Sequence, residues 1–316
     1  MPFKRTILLG VCGDSAAGKT TLSDGIARIL GKDRVTVICS DDYHRYNRKT
    51  RAEMGISALD PMCNYINIME HHFDLLRRGH PILKPIYNHS TGDFDPPEYI
   101  EPKEYVIIEG LLPYHTKTLR NNFDVKVYLA PEEELRVMWK IKRDTTKRGY
   151  TEEQVRASLA KRVDDTRNFI QPQKSYADTV VTFYRPRELE METGSHLNAR
   201  LTLRPALPYP DLTDVLLESQ KMVTSTICRD EGRLTEILDI SGNISPEQAS
   251  RIEDVVWSHL SGLEHLRPEE MGKFSDGDNT DQSNPLALTQ LFITYQLLVA
   301  MEELEKDKAE RRRVLG

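Results

Sequence analysis

Along this chain, short runs of unbroken apolar residues alternate with stretches whose apolar positions recur every three or four residues. The unbroken runs are "RTILLGV", "RVTVIC", "YVIIEG", "VKVYLA" and "DTVVTFY". Unbroken rather than alternating apolar character predicts strands buried on both faces, as in parallel sheets covered by helices. Between the runs, Leu22, Ile26, Ile29 and Leu30 recur at helical spacing, and "NIMEHHFDLLRRG" reads as a helix closed by Gly79. A long charged helix is predicted from about Glu132 to Arg148, and Thr151 with Gln154 makes a capping box for the next one. "KPIYNHSTGDFDPPEYIEP", rich in Pro, Gly, Asn and Asp, reads as a loop. Strands alternating with helices through about residue 185 predict an α/β fold, a mainly parallel sheet flanked by helices.

The texture changes after Tyr184. "LNARLTLRPALPYPDL" and "RLTEILDISGNIS" predict antiparallel strands and turns, and Ser245-Pro246 starts a helix with Pro at its first position. "FSDGDNTDQSNP" is expected to be loop or disorder. Leu288, Leu291, Phe292, Tyr295, Leu298 and Val299 give the last helix an apolar face that should dock. The end, "EELEKDKAERRRVLG", is expected to be solvated or frayed.

Composition alters this picture little. Of 316 residues, 39% are hydrophobic, and 43 basic against 49 acidic side chains leave a net charge of -6. That is enough apolar material for a proper core, and the bulk charge gives no reason to expect nucleic acid as a partner. No apolar run reaches the roughly 18 residues of a membrane helix. "MPFKRTILLGVCGDS" has too short an apolar run for a signal peptide and leads into a charged loop, so no membrane association and a cytoplasmic location are expected. Cys12, Cys39, Cys63 and Cys228 show no metal-ligand spacing and are expected to stay reduced.

Chemistry enters between the first strand and the first helix. Gly13, Asp14, Ser15, Ala16, Ala17, Gly18, Lys19 and Thr20 fit GxxxxGK[ST], with Thr21 following. Glycines let backbone N–H groups curl around phosphate oxygens, and the helix opening at Lys19 turns its positive end toward the same anion. In this pattern the lysine reaches the β and γ phosphates of ATP, and the Thr20 hydroxyl is placed to ligate Mg²⁺. The loop alone leaves a kinase, a switch GTPase and a motor ATPase open, although the base-reading NKxD of GTPases is absent.

"ICSDDYHRYNR" follows the second strand. A kinase acting on an alcohol needs a base near the hydroxyl and cations near the phosphates. Asp41 stands where ligands gather in open α/β sheets, and His44, Arg45 and Arg48 follow it. Cations there make sense for an acceptor that carries its own phosphate. Asp42 could be the base instead, with Asp41 a cap.

Together, "GDSAAGKTT", "DDYHRYNR", "ALDP", "KPIYNHSTG", "VIIEGL" and "WKIKRDTTKRGY" resemble the phosphoribulokinase family, related to uridine kinases on a nucleoside-kinase-like P-loop scaffold. The resemblance implies ATP-dependent phosphorylation of ribulose 5-phosphate at its C1 hydroxyl, giving ribulose 1,5-bisphosphate and ADP. It implies Asp41 as the general base, and His44, Arg48, Tyr87 and His89 as sugar-phosphate contacts. Glu109 corresponds to the acidic residue near Mg²⁺. Lys140, Arg143, Asp144 and Arg148 match catalytic and lid positions, with Arg148 closing over nucleotide or sugar phosphate and Lys161 and Arg162 adding to the lid. The implied layout is a kinase core over residues 1–185 with a lid around 143–170. An extension over 186–316 packs on it as part of the same compact unit, with a charged tail from 302. A homodimer is expected. A uridine or other nucleoside kinase, another sugar-phosphate kinase and a non-catalytic ATP-binding regulator are the competing readings. Plant members are switched by a disulfide whose phosphate-loop cysteine is replaced here by Ala17, so no control of that kind is expected.

Overall fold

The computed structural model describes residues 5–189, 191–204, 211–230, 232–260, 267–268, 270–276 and 279–315. The five unbroken apolar runs become β1 (Ile7–Gly13), β2 (Val35–Cys39), β5 (Tyr105–Gly110), β6 (Val125–Leu129) and β7 (Thr179–Tyr184). Between them in the chain lie β3 (Ile82–Asn88) and β4 (Asp93–Ile100). After them come β8 (Asn198–Leu203), β9 (Val223–Asp230) and β10 (Arg233–Ile240), then β11 (Lys273–Asp276) and β12 (Asn279–Gln282). One eight-stranded sheet runs in the order β2-β5-β1-β6-β7-β8-β10-β9. Its first five strands are parallel, and the last three join antiparallel.

Burial on both faces explains the unbroken apolar runs. Side chains alternate across a strand, and on β1 Leu9 and Val11 enter one apolar cluster while Leu8 and Cys12 enter another on the opposite face. Tyr105 and Ile107 against Val106 and Ile108 repeat the division on β5. Each such leucine or isoleucine, taken out of water, contributes about 1.5–3 kcal/mol. The phosphate-loop helix Lys19–Leu30 covers the first face, and the helix Ile66–Arg77 covers the second through Met69, Phe73 and Leu76.

The C-terminal helix, Asn284–Leu315, lies across the phosphate-loop helix. A Cβ on Gly25 would collide with the Gln290 side chain, so only glycine allows that approach. Leu288, Leu291, Phe292, Tyr295 and Leu298 are buried, and Val299 packs against the same cluster, as the periodicity predicts. Both capping boxes form, at Thr151–Gln154 and at Ser245–Gln248.

Two expectations need correction. The segment read as a loop after Lys84 is the hairpin β3–β4. Its prolines are compatible with strands because Pro85 sits at a bulge and Pro96 and Pro97 lie on an exposed strand with no other pairing partner. "FSDGDNTDQSNP" contains β11 and β12, paired from Lys273↔Gln282 to Asp276↔Asn279. The charged end is helical in backbone through Leu315, while the surroundings of its side chains lie outside the described residues. Strand β9, unmarked by any apolar run, pairs along the whole of β10.

Candidate active site

The parallel strands end together at one edge of the sheet, and the chemistry-bearing residues gather there. The phosphate loop leaves β1 with Ala16 (φ 66°) and Gly18 (φ 93°) left-handed, which curls the backbone before the helix starts at Lys19. Lys19 Nζ donates to the carbonyls of Gly13 (3.0 Å) and Asp14 (2.9 Å), holding its charge inside the loop. Arg136 braces the loop from outside, donating to the Ser15 carbonyl at 3.1 Å and lying 3.4 Å from the Asp14 carboxylate. The Thr166 hydroxyl, in a π-helical turn, reaches Asp14 at 3.3 Å.

The Thr20 hydroxyl donates to Glu109 Oε1 at 2.8 Å. Glu109 Oε2 is buried and, among the described residues, has no hydrogen-bond partner. Burial pushes this carboxyl's pKa up, against the pull of Lys19 and the Thr20 hydrogen bond. An orphaned carboxylate oxygen beside a hydroxyl, next to a phosphate cradle, fits a hard divalent cation that takes its other ligands from phosphate and water. Among the described residues no cluster of three or more His, Cys, Asp or Glu forms a ready-made cage.

The adjacent aspartates of the turn Ser40–Tyr43 have different surroundings. Asp42 is a strut: its carboxylate pairs with Lys84 and accepts from the Tyr87 backbone N–H at 3.0 Å, tying β3 to the turn. Among the described residues, the Asp41 carboxylate accepts one long hydrogen bond, 3.3 Å, from the Leu111 N–H, and its side chain lines the cavity. Gly110 makes room for that turn, since a Cβ there would collide with Ser40 Oγ and lie 3.3 Å from Asp41 Oδ1.

His44 is buried, and its Nδ1 lies 2.8 Å from Asn64 Oδ1. The Asn64 amide nitrogen donates to the Ala58 and Asp60 carbonyls, so Oδ1 is the acceptor and His44 Nδ1 carries the proton. Burial lowers the His44 pKa, despite the pull of Asp41, so the ring is neutral and offers a lone pair at Nε2. The Tyr87 ring meets both His44 and His89 edge-on, at 4.7 and 5.0 Å between centroids. Arg48 donates to the His89 carbonyl. Arg45 points elsewhere and stacks on Tyr65.

Arg51, which no motif singles out, and Arg162, expected only as part of the lid, line the cavity together. Arg51 donates to the Tyr46 carbonyl and to the Tyr87 hydroxyl, and Arg162 stands close enough that Arg51 depresses its pKa, after burial itself. Among the described residues neither has a carboxylate partner within ion-pair distance. Like charges held together without a counterion mark an anion seat. Only proximity in space identifies this pair.

The charged helix Glu133–Lys147 delivers the remaining cations. Asp144 pairs with Lys140 (2.8 Å), Arg143 (2.8 Å) and Arg148 (3.5 Å). Arg143 also reaches the Ser15 hydroxyl at 3.2 Å, which brings the cluster against the phosphate loop. Burial acts to raise the Asp144 pKa, but hydrogen bonds and charge from Arg143 and Lys140 outweigh it and hold the carboxyl below its ordinary value. Burial lowers the Lys140 pKa to about 8, opposed by Asp144. The Cys39 thiol, beside Asp41 and Glu109, is pushed up chiefly by burial, and all four cysteines are free. A single cavity of about 830 Å³ joins these parts, from Asp41, Arg48 and His89 past Lys19 to Lys140. No described helix is long and apolar enough to cross a membrane.

Comparison with known proteins agrees with this geometry. A phosphoribulokinase from Synechocystis sp. is 41% identical over 205 residues, covering 65% of this chain and 62% of that protein's length. A chloroplastic phosphoribulokinase from Arabidopsis thaliana is 30% identical over 348 residues, covering 98% of this chain and 87% of that protein. The solved phosphoribulokinase from Rhodobacter spheroides shares the fold, with a TM-score of 0.57 at 18% identity over 83% of this chain and 99% of the other. The model of the "Phosphoribulokinase / Uridine kinase family" matches residues 8–190, more than half of the sequence, so this chain belongs to that family.

Proposed function

We propose that this protein transfers the γ-phosphoryl group of ATP to the C1 hydroxyl of ribulose 5-phosphate, giving ribulose 1,5-bisphosphate and ADP. The observation that carries this reading is the single cavity in which a phosphate loop, an available carboxylate and an arginine couple with no carboxylate partner among the described residues meet. Lys19 and the loop amides hold the β and γ phosphates, and Arg143 and Lys140 stand ready for charge that develops on the transferred group. Asp41 takes the hydroxyl proton as the oxygen attacks. Arg51, Arg162 and Arg48 bind the acceptor's own phosphate, while neutral His44 and His89 accept from its hydroxyls. Thr20 and Glu109 would hold Mg²⁺, which neutralises phosphate charge when bound. The segment around 143–170 acts as the lid, closing over the phosphates to exclude water. A nucleoside acceptor carries no phosphate for the arginines. ADP release should therefore run at least about 100-fold faster (kcat/KM) with ribulose 5-phosphate than with uridine, the scale of a lost charged contact. Equal rates, or preference for uridine, would overturn the assignment.

The ammonium of Lys140 gives this reading a pH signature. It is lost as pH rises through about 8. The wild-type pH–rate profile should fall above that point, and Lys140→Arg should carry the limb out of range, since a guanidinium stays charged. Stability moves the other way. Between about 8 and 10.5 the folded chain binds fewer protons at Lys140 than the unfolded chain, so this residue's contribution rises with pH while activity falls.

A homodimer and a cytoplasmic setting complete the proposal. Free thiols accord with a reducing compartment. Strand β9 is an edge of the sheet, and Ile227 (70% exposed) and Leu234 (59%) stand out from β9 and β10. An edge strand with no further neighbour among the described residues and an exposed isoleucine invites a second copy. The wild type should sediment as a dimer and Ile227→Lys as a monomer; a monomeric wild type contradicts this.

A further inference from the structure

Of the ALDP stretch, residues 58–61, Ala58 alone lines the cavity; the other three build a mount behind it. Leu59 is buried against Leu111, Leu112 and Ile170, which fixes the stretch to the loop that follows β5. The Asp60 carboxylate accepts from the Met62 N–H at 2.8 Å and caps the short turn Pro61–Cys63. That turn presents Asn64. Two backbone hydrogen bonds strap the mount to the turn that carries Asp41: the Arg45 N–H donates to the Cys63 carbonyl (2.7 Å), and the Tyr65 N–H to the Tyr43 carbonyl (2.8 Å). They set His44 opposite Asn64 as a bridge pair.

The Asn64 side chain is held at both ends. Its amide nitrogen donates to the Ala58 (3.2 Å) and Asp60 (2.9 Å) carbonyls, so the amide has one orientation, and Oδ1 receives His44 Nδ1–H at 2.8 Å. Which nitrogen of a histidine carries the proton is set by the bond its other nitrogen makes. An asparagine does this without charge, so it orients the ring without drawing a second proton onto it, as a carboxylate would. Of the charged and titratable groups facing His44, Asp41 from the same turn is opposed by Arg51 of the helix Arg48–Met54 and by His89, beyond β3. Tyr87, on β3, meets the ring edge-on.

We infer that Asn64 is the positioning residue that fixes the tautomer and orientation of His44, with the ALDP carbonyls as its template, so that Nε2 meets a hydroxyl of the acceptor sugar as a hydrogen-bond acceptor. The inference rests on the acceptor being a sugar phosphate. A bare ring nitrogen accepts from an O–H and has nothing to offer a carbonyl oxygen, so this contact selects a hydroxyl at that place on the sugar. The ALDP stretch thereby serves specificity without touching the substrate through a charged group.

Two measurements on the full chain test this. Nitrogen NMR of ring-labelled histidine in the ligand-free protein reads the tautomer, with the His44 signals identified by their loss in His44→Gln. The wild type should show a protonated Nδ1 and a bare Nε2, and Asn64→Ala should lose that preference. A wild-type ring protonated at Nε2, or at both nitrogens at neutral pH, overturns the inference whether or not any variant folds. Steady-state kinetics of Asn64→Ala, His44→Gln and the double variant give the second reading. In Asn64→Ala the KM for ribulose 5-phosphate should rise about tenfold, the upper scale of one lost hydrogen bond, with the KM for ATP unchanged. The double variant should lose no more than His44→Gln does, because Asn64 acts through the ring. Additive losses, or an equal rise in KM for ATP, would mean that Asn64 supports the fold at large, and would overturn the inference while leaving the kinase reading intact. A wild type inactive on ribulose 5-phosphate overturns that reading and this role with it.

Discussion

Asp41→Asn should bind ATP as the wild type does and lose about 10²–10⁴-fold in kcat, the usual contribution of a positioned general base. The two aspartates of the turn share a sequence context but not a task. Asp42 is engaged on both oxygens, by Lys84 and by the Tyr87 N–H, and does not line the cavity. Asp41 keeps its carboxylate toward the cavity, held by the long hydrogen bond from Leu111. Removing Asp42 should therefore loosen the β3–β4 hairpin, raising KM for the sugar phosphate more than it lowers kcat. Steady-state kinetics of the two asparagine variants separate the roles. Near-wild-type turnover in Asp41→Asn removes it from the base role.

The second large effect is expected at Asp144. Its side chain is 6% exposed and accepts from Lys140 and Arg143, with Arg148 a little farther away. Asp144→Asn leaves a buried ammonium and a guanidinium without their counterion. Breaking a buried pair on one side costs about 3–5 kcal/mol. The urea midpoint should fall accordingly, and kcat should drop by about 10²-fold, the scale of one lost preorganised charge donor. The pH dependence follows from the lowered pKa. Asp144 contributes stability that is full above the ordinary carboxylate range and is lost as pH falls through its folded value, so the asparagine variant should be less sensitive to acid. An unchanged midpoint would mean the cluster is solvated rather than structural.

What could be read from the chain alone was local. The phosphate loop announces itself because one contiguous stretch supplies the glycines, the lysine and the hydroxyl. The parallel strands show because burial on both faces leaves no polar alternation. Lys140, Asp144 and Arg148 stand four apart in the chain, but only the structure shows them paired. Strand β4 was hidden because it is exposed and carries two prolines, signals that ordinarily mark a loop. Strand β9 has an alternating, half-exposed face and gains its place only by pairing with β10. The roles of Asp41 and Asp42 depend on Lys84 and Tyr87, far along the chain. Arg51 and Arg162 acquire meaning only beside one another. Such pairings leave no periodic mark in a sequence.

At the centre of this mechanism, the γ-phosphate in the loop faces an alcohol on a molecule already carrying phosphate. Phosphorus NMR of the wild-type protein with ATP, Mg²⁺ and ribulose 5-phosphate tests that arrangement most directly. A second phosphomonoester resonance on the pentose should grow in step with ADP. ADP accompanied only by inorganic phosphate, or no change in the sugar phosphate signal, would contradict it.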